Sequence, residues 1–236
     1  MDIMMESTQF EYEQLLASSD MYQLMSMFLR LPTAELAEGL CEGSLKQDVQ
    51  DIFGELSVPA EETASILENL SAYEGGAHDP QEVLSDLRRE YTRMFTHPKR
   101  PAVSIYEALF LWSGDDGEPK PSLFISPAAL DAERCYKRAG LERSKEVNES
   151  GDHFATQMEF MMFLCRGLAI AMQNEDEGKF SELEDVWEEF AKLHLHRWAR
   201  PFFQECAELS ANRTMTAFWD VGNVFFKYYL PSVKHD

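Results

Sequence analysis

Basic side chains are scarce: Lys and Arg number 21 against 42 Asp and Glu in a chain of 236 residues, a formal net charge of −21. A field of that sign repels phosphate backbones and anionic lipid and favours cationic partners, so nucleic acid is not an expected partner. The plain alternative is a surface that keeps an acidic protein soluble. Cysteine is sparse too. Cys41, Cys135, Cys165 and Cys206 lie far apart with no C-x-x-C pair, which speaks against a disulfide framework or zinc knuckle and for the reduced thiols of a cytoplasmic protein. The most apolar stretch, 160–172, is interrupted by Arg166 and is shorter than the roughly 20 residues a bilayer span needs. Met1-Asp2-Ile3-Met4-Met5-Glu6 is acidic where a secretory signal is basic, so the expectation is a chain neither exported nor membrane-spanning. The common nucleotide and hydrolase signatures, Gly-x-x-x-x-Gly-Lys, Gly-x-Gly-x-x-Gly and Gly-x-Ser-x-Gly, are missing. No stretch alternates with period two and no repeat of 20 to 50 residues is visible.

What is present is helical periodicity. Phe154, Met158, Met161, Cys165, Leu168 and Met172 step by four and three, the spacing of one helix face. Phe160, Phe163, Leu164, Gly167 and Ala171 cover much of the remaining circumference, so this helix is buried on more than one side. The expected architecture is all-α: one domain over 1–236, of about ten helices around the buried helix 150–172. Around that helix, the pattern from Phe10 to Leu31 ends at Pro32. Ser44 begins a segment to about Leu56 and Pro59 one to about Tyr73, and Asp79-Pro80-Gln81-Glu82 opens a helix running to Phe95. Ser126-Pro127 starts a helix stopped by Gly140, and 173–179 is read as a loop before a capping box at Ser181 and Glu184. Pro201 marks a further helix, and Thr214 the last. The aperiodic stretch 112–126, rich in glycine, proline and aspartate, is a candidate hinge or mobile loop. The protein is accordingly expected as a monomer, or as a dimer exchanging halves at that hinge.

Metal chemistry finds little support in spacing. His194 and His196 are two residues apart, about 200° round a helix, and cannot share an ion. Asp152 and Glu159 return to nearly the same face but stand two turns apart. No resident metal or cofactor is therefore expected. Large apolar and polar-tipped side chains do accumulate at loop and helix-end positions: Tyr91, Phe95, Tyr106, Trp112, Asp152 and His153. Two readings fit. They are ordinary core beside an N-capping Asp, or they form an apolar groove with an acid at its edge, suited to a peptide with cationic and apolar residues.

Four segments at these positions resemble the TorD/DmsD/NarJ redox-enzyme maturation chaperones. Glu90-Tyr91-Thr92-Arg93-Met94-Phe95 with Pro98 is similar to the family's aromatic-x-Arg-Leu-Phe-x-x-Pro, and Tyr106-Glu107-Ala108-Leu109-Phe110 to its Tyr-Glu-Ser-x-Tyr. Gly151-Asp152-His153-Phe154 with Glu159-Phe160-Met161 resembles Pro-Asp-His followed by Glu-Phe-Met. His194-Leu195-x-x-Trp198-x-x-Pro201-Phe202 is similar to His-Leu-x-x-Trp-x-Pro-x-Phe. The departures are Gly151 for proline, which implies a looser entry to the central helix, Ala108 for serine, and one extra residue between Trp198 and Pro201.

The resemblance implies a cytoplasmic, non-enzymatic, all-helical chaperone. Such a chaperone binds the twin-arginine signal peptide or N-terminal leader of a molybdopterin oxidoreductase catalytic subunit in its apo form, and delays export until the cofactor is inserted. Carried over by position, the peptide site comprises Tyr91, Met94, Phe95, Pro98, Tyr106, Asp152 and His153, with Glu107, Glu159 and Trp198 secondary. Asp152 would pair with an arginine of the leader, and the aromatics would take its apolar part. The alternatives are a NarJ-like assembly factor for a molybdoenzyme that is never exported, and a helical metal- or nucleotide-dependent enzyme using His153, Glu159 or His194.

Overall fold

A computed structural model describes residues 2–114, 119–142 and 149–229, without the side chains of 2–8 and 10. Among the described residues the chain is all-α, as expected. The helices are α1 (Asp2–Phe28), α2 (Ala34–Glu42), α3 (Ser44–Glu55), α4 (Ala60–Leu70), α5 (Pro80–Tyr91), α6 (Glu107–Phe110), α7 (Pro127–Arg138), α8 (Phe154–Gln173), α9 (Glu177–Phe190), α10 (Ala199–Leu209) and α11 (Arg213–Tyr228). A 3₁₀ turn (Ser71–Tyr73) follows α4, and π-helical segments follow α5 (Thr92–Thr96) and α9 (Ala191–Leu195). No described helix is long and apolar enough to cross a membrane.

Most helix starts carry local signals. Asp79 accepts the Gln81 N–H at 3.0 Å ahead of Pro80, Ser126 accepts the Ala129 N–H at 3.1 Å ahead of Pro127, and Asn212 accepts the Met215 N–H at 3.0 Å. In each case a side-chain oxygen satisfies one of the first-turn N–H groups that have no partner in the helix. Gly43 (φ +83°) separates α2 from α3, and Gly140 (φ +83°) lies just beyond α7, both in the left-handed region that a side chain disfavours.

Two expected boundaries differ. α9 begins at Glu177, where Asp176 accepts the Lys179 N–H at 2.9 Å, so Ser181 lies inside the helix and the capping box read there does not form. The helix expected to run from Pro80 to Phe95 is α-helical only to Tyr91 and widens to π geometry over 92–96. The first correction reflects two adjacent cap signals of similar strength, and the second a tertiary demand that residue pattern does not encode.

The chain divides into two compact units, one formed by the chain up to Ser26 with Ile105–Trp198, the other by Met27–Ser104 with Ala199–Tyr229. The crossings fall within α1, after Ser104 and after Trp198, and not in 112–126; of that candidate hinge, 115–118 lie outside the described residues. The polar connection at 143–148 does too.

In the first unit α8 is buried along Phe154, Met158, Met161, Cys165 and Leu168, and again at Phe160 and Leu164, as the double stripe requires. Arg166 and Ile170 face out. A Cβ on Gly167 would come within 2.9 Å of the Leu183 side chain, so the glycine admits α9 at this crossing. Phe154 lies 4.2 Å from Trp198 between ring centroids, and Phe160 4.8 Å from Phe190. In the second unit Phe28 stacks on Phe218 at 4.1 Å, and Gly222 lets the Phe203 ring approach to 2.5 Å from where a Cβ would stand. Truncating any of these fully buried rings would cost about 3–5 kcal/mol.

Candidate functional site

The residues singled out in the sequence fall in both units, and each group has its own structure. In the second unit Tyr91, Met94 and Phe95 are core. The Tyr91 hydroxyl donates to the Leu29 carbonyl at 3.3 Å, and Phe95 stacks on Phe202 at 6.0 Å while meeting Trp219 edge-on at 5.5 Å. Pro98 is exposed. Between the aromatics, Arg93 donates twice to the Glu90 carboxylate, at 2.8 and 2.7 Å, and once to the Leu209 carbonyl at 2.6 Å. Glu90 also accepts the Ala211 N–H at 2.6 Å. This bidentate clip ties the end of α5 to the α10–α11 turn. The Glu90 carboxyl is held below the ordinary 4.5 chiefly by its bond from Arg93, against the opposing effect of burial. Nearby on α5, Arg88 donates to the Pro32 carbonyl and Arg89 pairs with Asp86.

In the first unit the second and third motif segments pair directly. Tyr106 and His153 form an isolated antiparallel bridge, in which the Phe154 N–H donates to the Ile105 carbonyl at 3.0 Å and the Glu107 N–H to the Asp152 carbonyl at 3.1 Å. Asp152 is fully buried. One carboxylate oxygen accepts the Ala108 N–H at 3.1 Å, serving the start of α6, and the other lies 2.5 Å from the Ser150 hydroxyl. The cap of α8 is His153 rather than Asp152: its Nδ1 accepts the Ala155 N–H at 3.2 Å, and its ring meets Tyr106 edge-on at 5.1 Å. Gly151 makes the entry closer, not looser, because a Cβ there would stand 2.8 Å from both the Ala129 carbonyl oxygen and the Glu133 side chain. The Tyr136 hydroxyl donates to the Gly151 carbonyl at 2.6 Å. Glu159 is half-buried.

Beneath this bridge lies a buried polar node. Glu107 accepts the Gln157 side-chain N–H at 2.6 Å and faces His194 Nδ1 at 2.9 Å with the same oxygen. The other ring nitrogen, Nε2, lies 3.2 Å from Asp131 Oδ2, and the Trp198 indole donates to the His194 carbonyl. Burial, the largest influence, pushes the His194 pKa down, but hydrogen bonds to Cys135 and Glu107 outweigh it and raise the value from 6.5 to about 9. The π turn at 191–195, closed by the His196 N–H on the Ala191 carbonyl at 3.0 Å, is the segment that carries His194. Glu107 and Trp198, secondary in the sequence, are thus joined to His194 in one network, while Gln157, Asp131 and Cys135 were missed. Their only sequence signal is the four-residue spacing of Asp131 and Cys135, which places both on one face of α7.

A strip of chain running on from the bridge, mostly apolar, stays partly open. Tyr106, Ala108, Leu109, Phe110, Leu111 and Trp112 are all intermediate in exposure, and on the same unit Phe124 (43%), Ile125 (71%) and Leu130 (49%) are exposed. No curated protein matches the chain in sequence. A family model described as nitrate reductase delta subunit matches residues 56–204, a span that holds all four motif segments, the Tyr106–His153 bridge and the node that includes His194. The chain belongs to that family, the NarJ/TorD-like chaperones of molybdoenzyme maturation.

Proposed function

We propose that this protein is a cytoplasmic, non-enzymatic chaperone that binds the N-terminal leader of a molybdopterin oxidoreductase catalytic subunit and holds the apo subunit until its cofactor is inserted. The observation that carries this is the half-exposed strip from Tyr106 to Trp112, anchored to the start of α8 by the Tyr106–His153 bridge. Tyr106, Leu109, Phe110 and Trp112 take the apolar part of the leader, with His153 against the Tyr106 ring. Asp152 acts as a positioning residue: its carboxylate holds the first turn of α6, and so the strip. Leader arginines are drawn by the general acidic field of the chain. Tyr91, Met94 and Phe95 support the second unit from within, and Pro98 is the one member of that group at the surface.

A second reading, a NarJ-like factor for an enzyme that is never exported, is favoured by the full burial of Asp152, which withholds from an arginine pair the carboxylate that the motif offers first. Fluorescence anisotropy with labelled leader peptides separates the two. Tyr106→Ala and Trp112→Ala are expected to weaken binding at least about tenfold, or 1.4 kcal/mol, with far-UV circular dichroism unchanged. Wild-type affinity in both variants would remove the strip from the site. Replacing the arginine pair of the peptide by lysines weakens binding in the exported-client reading and leaves it unchanged in the other.

A further inference from the structure

The buried node has a composition that leader binding does not require. Asp131 and Cys135 stand one turn apart on α7, and His194 reaches them from the π turn after α9; one donor atom from each lies within 4.8 Å of the other two. We propose that Asp131 Oδ2, Cys135 Sγ and His194 Nε2 bind a zinc-class divalent transition-metal ion, with Glu107 orienting the histidine from behind.

Four features favour this assignment. Carboxylate, thiolate and imidazole together suit zinc and its borderline-soft neighbours, whereas calcium and magnesium take oxygen ligands. Two ligands of a tetrahedral ion, bound at about 2.0–2.3 Å, stand about 3.3–3.6 Å apart. The observed 3.2 Å from Asp131 Oδ2 to His194 Nε2 is just under that span, and with no two donor atoms more than 4.8 Å apart the cluster needs to tighten by little more than about 1 Å. The histidine is also prepared on its far side. Nδ1 faces the Glu107 carboxylate at 2.9 Å, which keeps the proton on Nδ1 and turns Nε2 toward the ligand position, the carboxylate–histidine–metal relation of known sites. Finally, each partner is itself held: Glu107 by Gln157, the His194 carbonyl by the Trp198 indole, and the second Asp131 oxygen by Arg134.

Cys135 and His194 are buried, while the Asp131 side chain keeps 26% of its surface, so the fourth position opens toward solvent on the Asp131 side. The ion would then lock α7 to the segment that carries His194. This proposal does not depend on the nature of the client.

Cobalt(II) titration of chelator-treated, full-length protein tests it, because thiolate ligation produces a charge-transfer band that carboxylates and imidazoles do not. One cobalt per chain with that band, displaced by zinc, is the expected result. Cys135→Ser should abolish the band and Asp131→Asn should weaken zinc binding at least about tenfold, while Cys41→Ser should leave both unchanged. A wild-type protein with no thiolate band, or a band that survives in Cys135→Ser, overturns the site. If Cys135→Ser fails to fold by circular dichroism, Asp131→Asn decides, since its side chain is partly exposed and wild-type affinity in that variant rejects the assignment.

Discussion

Asp152 shows how a residue can be found correctly in a sequence and still be given the wrong neighbours. Its place before a buried helix was legible. What the chain could not show is that residues 105–108 return against it, so that its carboxylate serves the Ala108 N–H rather than the first turn of α8. Removing it leaves the part-buried Ala108 N–H without this partner, and Asp152→Ala is expected to destabilise the protein by about 1–3 kcal/mol, whereas Asp152→Asn, which keeps an acceptor, should lose less. Urea midpoints of the two variants check this; equal losses would mean that charge, not the hydrogen bond, matters. The same assay applies to Gly151→Ala. With the Ala129 carbonyl oxygen 2.8 Å from the new Cβ, backbone has to move, and a loss of about 1–3 kcal/mol is expected. Glycine in place of the family's proline reads from sequence as added freedom, and only the approach of α7 reveals it as a fit.

At the scale of elements, helix existence was more legible than helix geometry. Caps marked the starts of α5 and α7, and periodicity the buried course of α8, because those signals are local. The π turns after α5 and α9 were not legible, since an i+5 bond leaves no mark in residue pattern. Yet each carries a motif: Arg93 and Phe95 on one, His194 on the other. The Arg93–Glu90 clip gives this a measurable consequence. Glu90 has a folded pKa below its ordinary 4.5, so it contributes stability that is present above the unfolded value and lost as pH falls through the lower folded one. Stability measured from pH 7 down to about 3 should therefore drop more steeply in the wild type than in Glu90→Gln. Parallel profiles would show that the clip does not contribute to the acid response.

For the whole molecule, composition was the most informative guide to chemistry and the least informative guide to architecture. The charge of −21 bears on partners: affinity for a cationic leader should fall as salt shortens the Debye length from about 30 Å at 0.01 M to about 3 Å at 1 M, leaving the apolar contribution behind. A salt-independent Kd would place recognition wholly in the strip. The all-helical class followed from periodicity. The division into two units did not, because it depends on which distant stretches meet. The polar node was hidden for the same reason, its members coming from 107, 131, 135, 157 and 194.

The course of the chain through those units also bears on how the protein is made. The first unit needs the N-terminal stretch up to Ser26 together with residues as far as Trp198, and the second resumes at Ala199 after beginning at Met27. On a ribosome, which delivers about 5–20 residues per second from the N-terminus, neither unit can close until nearly the whole chain has emerged. α1 must wait, already synthesised, for α8, whose Met162 carbonyl accepts the Ser19 hydroxyl. A protein proposed to shelter an unfinished client therefore passes through an open interval of its own, with Phe28 uncovered until Phe218 has been made.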